Sequence, residues 1–399
     1  MKQITFNDIK LMAARFHAIN RRELRYYSHR PLFLFTMLIA PLLCVVFFTT
    51  LMFKGLPTKI PAAIVDEDCT HISRLFCRIL DSWEGTDVKY VFHTFREARK
   101  AVQEGKIYAF YYLPEGLTTD AESNKQPTIS FYTNDTYYVP GNLMMRDMKT
   151  AGALAGLGLT RAVLRGHGTS DHDYWGYIQP IAIETHPLGN SYLNYSVYLS
   201  NTLVPGIFIL LIMITTSYVI GIEWKYKRQK ELYQMSGNSP ALALAAKLLP
   251  QTVIYTLMFF FMDVWFYCYL DYPCKCGLPA MMLISVLTVL AAQGFSVFFF
   301  GLMAGEMRLA MCICCLWGIF SFSICGFTYP VPAMDMPLKL LSVWFPLRHY
   351  YLIYVNMALN GYSPSYVWWS IGALICFCFL PLLTMPRYRK AFLKFQYLK

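Results

Sequence analysis

Few residues in this chain have the types and spacing that chemistry needs. An HGTSDHD run sets His167 and His172 beside Asp171 and Asp173, a ligand set that could hold a divalent metal and also the composition of a plain polar loop. Ten of the twelve cysteines lie in or beside apolar runs, where thiols act as small hydrophobes. Cys274-x-Cys276 and the cluster at Cys312 have no companion His or Asp nearby in sequence, so no metal site is expected from them. Cys69 and Cys77 fall in polar sequence; on one helix they would stand about 12 Å apart, beyond the roughly 7 Å that a disulfide bridges. Asp263 sits inside an apolar run, where a buried carboxylate is costly and therefore a functional candidate; pairing with Arg348 near the interface is the competing assignment. There is no Gly-x-x-x-x-Gly-Lys-Ser/Thr loop to cradle a nucleotide, no Gly-x-Ser-x-Gly and no His-Glu-x-x-His. The chain therefore reads as no enzyme, with no cofactor of its own.

The elements that must carry these residues are set by hydropathy. Apolar residues make up 56 % of the chain and charged ones 15 %, with a mean hydropathy of +0.37, well outside the range of a soluble domain. The excess is concentrated in residues 31–53 and most of 203–386. The first run is too long for a signal peptide and lacks a small-x-small cleavage site. Further runs at 203–222, 247–270, 278–303, 309–329 and 366–386 each have the length that a membrane helix needs. Residues 54–200 instead alternate short strands and helices, as a small α/β domain does. The reading is a polytopic α-helical membrane protein with six transmembrane helices and one inserted extracytoplasmic α/β domain.

Charge orients this arrangement. The net charge is +11; residues 1–30 hold seven Lys/Arg against two acids, and residues 387–399 hold five against none. Residues 54–200 are near balance. Basic flanks beside apolar runs place both termini in the cytoplasm, and an even number of spans agrees by putting the two termini on one side. No basic patch interleaves with aromatics on a soluble module, so nucleic acid is not an expected partner. Residues 1–30 have apolar positions at near-helical spacing and suggest an amphipathic helix on the membrane face.

Residues 326–350 are too apolar for a free loop. Pro330, Pro337 and Pro346 interrupt them too often for a span, since each removes a backbone donor. The expectation is a broken hairpin that re-enters from outside, with Leu341 and Phe345 packed near the exit; the alternative is a surface helix resting on the outer leaflet.

Three stretches carry a family resemblance. The first is Ala62-Ala63-Ile64-Val65-Asp66-Glu67-Asp68, with Gly105-Lys106-Ile107-Tyr108-Ala109 and Leu113-Pro114-Glu115-Gly116. The second is Glu223-Trp224-Lys225, Glu231-Leu232, Ser236-Gly237-Asn238-Ser239-Pro240 and Lys247-Leu248-Leu249-Pro250. The third is Gly326-Phe327-Thr328-Tyr329-Pro330, Met336-Pro337 and Phe345-Pro346. Their order and spacing over nearly the whole chain resemble the membrane subunits of type-2 ABC exporters, in the branch with a large periplasmic domain between the first and second spans. Many relatives carry Gly-Thr where this chain has Lys227-Arg228.

The resemblance implies an inner-membrane permease that pairs with a second copy or a paralogue and with a separate ABC ATPase subunit that binds the ATP. Residues 223–240 would couple to that ATPase, with Glu223, Lys225, Arg228, Glu231, Gly237 and Pro240 as contacts. The insert would face the periplasm and could dock an adaptor protein leading to an outer-membrane channel. Aromatics at 17 % suit an amphipathic or lipid-like substrate or drug, although interfacial belts give the same excess. The rival function is a non-transporting membrane receptor or scaffold whose external domain senses a ligand.

Overall fold

The computed structural model describes residues 6–394 apart from 124, 126, 127, 135, 167–188, 191–193, 304 and 305. The HGTSDHD run lies outside the described residues. The chain divides into two units, Met1–Phe53 with Pro187–Lys399, and Lys54–His186.

In the first unit, six helices among the described residues are long and apolar enough to cross a membrane. They are Pro31–Leu51, Tyr195–Lys225, Pro240–Tyr269, Leu278–Leu302, Met307–Ile324 and Pro364–Lys394, called spans 1 to 6 below. A helix over Phe6–Ser28 precedes them. Each span covers one of the expected apolar runs, but several ends differ, for local reasons. Span 2 begins at Tyr195 because the Asn194 side chain accepts from the amides of Ser196 (2.8 Å) and Val197 (3.4 Å) and so caps otherwise unpaired donors. Span 3 begins at Pro240, a first-turn proline that needs no donor, with Ser239 capping the Leu242 amide at 3.4 Å. Span 5 ends at Ile324, just before Gly326 turns to φ +107°, a conformation closed to other residues. Span 6 continues through Pro386 to Lys394, past the expected end at 386.

Spans 2 and 4 are the most enclosed, whereas spans 1, 5 and 6 leave most of their surface open. Small residues set the closest approaches. A Cβ added at Gly294 would collide with the backbone carbonyl of Phe377, so glycine lets spans 4 and 6 pack backbone to backbone. Gly294→Leu should separate these helices and lower the thermal midpoint of the detergent-purified chain by several degrees, as overpacking of about 1–3 kcal/mol does; Gly372→Leu, at a site with open space around it, should leave the midpoint unchanged.

In the second unit, a four-stranded sheet has the order β2-β1-β3-β4, with β1 Ile60–Asp66, β2 Thr86–Phe92, β3 Ala109–Leu113 and β4 Ser130–Thr133. The central strand β1 pairs in parallel with β2 and β3, and β4 closes antiparallel on β3. Because β1 is covered on both faces, its sequence is a continuous apolar run. Ala62 and Ile64 pack with Phe76, Tyr111 and Met144, while Ala63 and Val65 pack with Ala98, Ala101 and Phe110, which is the two-residue alternation of a strand. The helix Tyr138–Gly166 belongs to this unit. Cys69 precedes the helix His71–Asp81 at φ 50°, and Cys69 and Cys77 are both free thiols.

Candidate functional site

The segment between spans 2 and 3 folds as one short helix, Gln229–Met235. Three residues with positive φ, Lys227, Gly237 and Asn238, make the turns on either side of it. The Arg228 amide donates to the Glu223 carbonyl (2.8 Å) and the Asn238 amide to the Tyr233 carbonyl (3.0 Å), which closes both turns. One face of the helix is fixed to the unit: Leu232 is buried, and Tyr233 stacks on Phe392 with ring centroids 5.3 Å apart. The other face is free, with Lys230, Glu231 and Gln234 exposed, as are Lys225 at the end of span 2 and Lys227 in the turn before the helix. A Cβ at Gly237 would collide with the Arg15 guanidinium, so glycine there lets the N-terminal helix approach.

Glu223 lies elsewhere than this free face. Its carboxylate is buried and accepts from Lys247 Nζ at 2.9 Å and from Arg22 at 2.8 Å. Glu23 accepts from the same two cations, each at 2.7 Å. Lys247 and Glu23 have side-chain exposures of only 1 % and 2 %. Two cations and two carboxylates thus form a neutral buried quartet that joins the N-terminal helix to spans 2 and 3. Burial alone would lower the Arg22 pKa, but the carboxylates of Glu223 and Glu23 outweigh it and raise it. Tyr27 is buried beside the quartet and donates to the Lys247 carbonyl at 3.4 Å; burial, and then Glu23, pushes its phenol well above the ordinary range. Next to the quartet, Trp224 packs on Phe300 and Phe392, with centroids at 5.4 and 5.0 Å. Phe392 also stacks on Tyr233, so the end of span 2 and the short helix pack on the same ring of span 6.

Polar groups continue into the membrane part. Gln251 donates to Thr216 (2.8 Å) and Thr215 (3.1 Å), and Tyr255 bonds both Thr215 (3.1 Å) and the Thr36 carbonyl (3.2 Å). Thr36 lies in a π-turn at Phe35–Ile39, where the widened helix presents carbonyls sideways. Thr252 donates to Gln293 at 2.7 Å, and Ser296 donates to the Met213 carbonyl at 2.7 Å. These bonds tie spans 1 to 4 together in a medium that supplies no competing water. Asp263 is fully buried in span 3, and its partner is Ser285 of span 4, which donates at 2.7 Å. Among the described residues Arg348 is not within ion-pair distance of it, and its second oxygen has no partner.

The segment after span 5 folds in short pieces. A 3-10 turn at Val331–Ala333, a short helix at Met336–Ser342 and a second helix at Pro346–Ile353 follow one another, the latter two each opening on a proline at their first turn. Met336, Leu338, Leu340, Val343 and Trp344 are exposed, while Phe345 is fully buried and stacks on Trp317 at 4.8 Å. Leu341 is half-buried, Pro330 and Pro337 are exposed, and Pro346 is buried.

The structure thus separates the sequence candidates into three places: the junction between spans 2 and 3, Asp263 between spans 3 and 4, and the short helical pieces after span 5. Glu223, Lys225 and Pro240 belong to spans, and Arg228, Glu231 and Gly237 to the turns and the short helix between them. Sequence reasoning missed the partners of Glu223. Arg22 and Glu23 lie about two hundred residues away, and the only local sign was a lysine, Lys247, inside an apolar run. Among the described residues no three His, Cys, Asp or Glu side chains converge as a metal site.

No curated protein matches the chain significantly. A family model described as ABC-2 family transporter protein matches residues 31–385, from the start of span 1 into span 6, with the sheet unit between spans 1 and 2 included. With most of its length matched and six helices long and apolar enough to cross a membrane among the described residues, the chain belongs to the ABC-2 family of transporter proteins, as a membrane-embedded permease.

Proposed function

We propose that the chain is the permease subunit of an ATP-driven exporter and forms the membrane path for an amphipathic or lipid-like substrate or drug. The family implies a separate ABC ATPase and a paired membrane unit. One observation carries the coupling assignment: the short helix Gln229–Met235 has one face fixed to the unit and a free charged face. ATP-driven closure of an ATPase pair needs a rigid element to push on, and this helix has that form. Lys225, Arg228 and Glu231 supply its charged contacts, Gly237 and Pro240 shape its exit, and Glu223 anchors it from inside. The open surfaces of spans 1, 5 and 6 leave room for lipid and for a second copy or a paralogue.

In this reading both termini and residues 223–240 face the cytoplasm, and the sheet unit faces outward from the inner membrane, where it could dock an adaptor leading to an outer-membrane channel. The broken hairpin, with Pro330, Pro337, Leu341, Phe345 and Pro346, re-enters near the exit. Asp263 offers a polar group along the path. Reporter fusions at Lys125 and at Gln234 should report opposite compartments; a shared compartment would refute the orientation. The chain purified alone should turn over no nucleotide, and a tagged copy drawn from its own membranes should bring an ATPase subunit with it. Nucleotide hydrolysis by the isolated chain would overturn the assignment.

A further inference from the structure

Beside the buried quartet lies a cleft of about 340 Å³ whose walls include Arg25, Tyr26, His29, Arg30 and Arg228. Its charge is not balanced by the chain. Glu23 and Glu223 are matched by Arg22 and Lys247. That leaves Arg25, Arg30 and Arg228, none of which has a carboxylate within 4.0 Å among the described residues. The Arg30 guanidinium lies 4.5 Å from the Tyr26 centroid, and the Arg228 guanidinium lies 5.8 Å from the same ring and 5.4 Å from that of Tyr226. Unbalanced like charges lining one cleft repel, and an anion bound there would relieve this. The Tyr26 hydroxyl is buried and has no hydrogen-bond partner, so a donor waits at the same place.

The position of the cleft identifies the anion. Arg30 immediately precedes span 1, which begins at Pro31, and so stands where the hydrocarbon ends and headgroups begin. The N-terminal helix exposes Leu11, Met12 and Leu24, apolar side chains suited to lying in the same leaflet. We propose that this cleft binds the headgroup phosphate of an anionic phospholipid. The phosphate would accept from Arg25 and Arg30, at the end of the N-terminal helix and the start of span 1. It would also accept from Arg228, at the head of the short helix Gln229–Met235, and so join these elements. The proposal rests on the membrane placement of the family and not on the direction of transport or the coupling role.

The test is native mass spectrometry of the full-length chain in detergent, titrated with phosphatidylglycerol or with phosphatidylcholine of the same acyl chains. Phosphatidylglycerol should bind about tenfold more tightly. The variant Arg25→Gln/Arg30→Gln/Arg228→Gln should lose that preference, whereas Lys225→Gln/Lys227→Gln/Lys230→Gln, with the same loss of charge on exposed positions, should keep it. Tyr26→Phe retains every charge and removes only the hydroxyl; it should weaken phosphatidylglycerol about threefold and keeps the test valid if the triple arginine variant does not fold. Inorganic phosphate in excess should not displace the lipid. Equal binding of the two lipids, an undiminished preference in the arginine variant, undiminished phosphatidylglycerol affinity in the tyrosine variant, or displacement by inorganic phosphate would each overturn the proposal, the last by assigning the cleft to a soluble anion.

Discussion

Lys247→Met should lower the midpoint of thermal unfolding of the detergent-purified chain by on the order of 10 °C. Methionine matches the length of the lysine stem but leaves Glu23 and Glu223 sharing Arg22 alone, with one negative charge buried and uncompensated. Breaking a buried pair from one side typically costs about 3–5 kcal/mol, while removing both partners costs far less. The double variant Lys247→Met/Glu23→Gln restores neutrality, with Arg22 on Glu223, and should recover most of the lost midpoint. That recovery distinguishes an electrostatic lock from simple packing loss, which a second substitution would only deepen. Scanning fluorimetry on the tryptophans measures both variants. A single variant as stable as the parent, or a double variant worse than the single, would remove the quartet from the account. Glu223→Lys should behave like the single variant, because it puts a third cation into the same buried space.

The second large effect is on transport rather than stability. Lys230→Glu combined with Glu231→Lys exchanges two exposed charges on the short helix and keeps the net charge. Surface exchanges away from packed features usually change stability by less than about 0.5 kcal/mol, so the thermal midpoint should hold. Export by the chain with its ATPase in proteoliposomes should fall about tenfold or more, the effect of losing about 1.4 kcal/mol from a complementary contact. ATP hydrolysis by the complex should persist, uncoupled from export. Unchanged export would move the coupling contact away from this helix. The two predictions separate the faces of one segment, since the buried face sets how the chain holds together and the free face sets what it answers to.

The six spans were legible because a bilayer imposes a length that few apolar runs reach by chance. Their ends were not, because caps decide them: Asn194 and Ser239 extend spans 2 and 3 toward their N-termini, and Gly326 stops span 5 early. The strands of the insert were legible from their alternation, and the continuous apolar run of β1 is explained by its central place in the sheet. The breaks after span 5 could be read from the prolines, two of which open the short helices there. The quartet could not, since nothing in the spacing of Arg22, Glu23, Glu223 and Lys247 shows that a long insert returns the chain to the same corner. The same holds for Asp263, whose partner Ser285 sits on the next span. Periodicity reports which face of a helix is apolar, whereas the partner of a buried polar group depends on how helices are assembled.

Coupling through the short helix can be read from a photo-reactive amino acid at Gln234, on its free face, paired with one at Lys125 in the sheet unit. Illuminated in native membranes, the Gln234 probe should capture a nucleotide-binding ATPase subunit, with a yield that changes when ATP is added, and the Lys125 probe should capture none. Capture of the ATPase from Lys125, or its absence from Gln234 in an intact complex, would contradict the account.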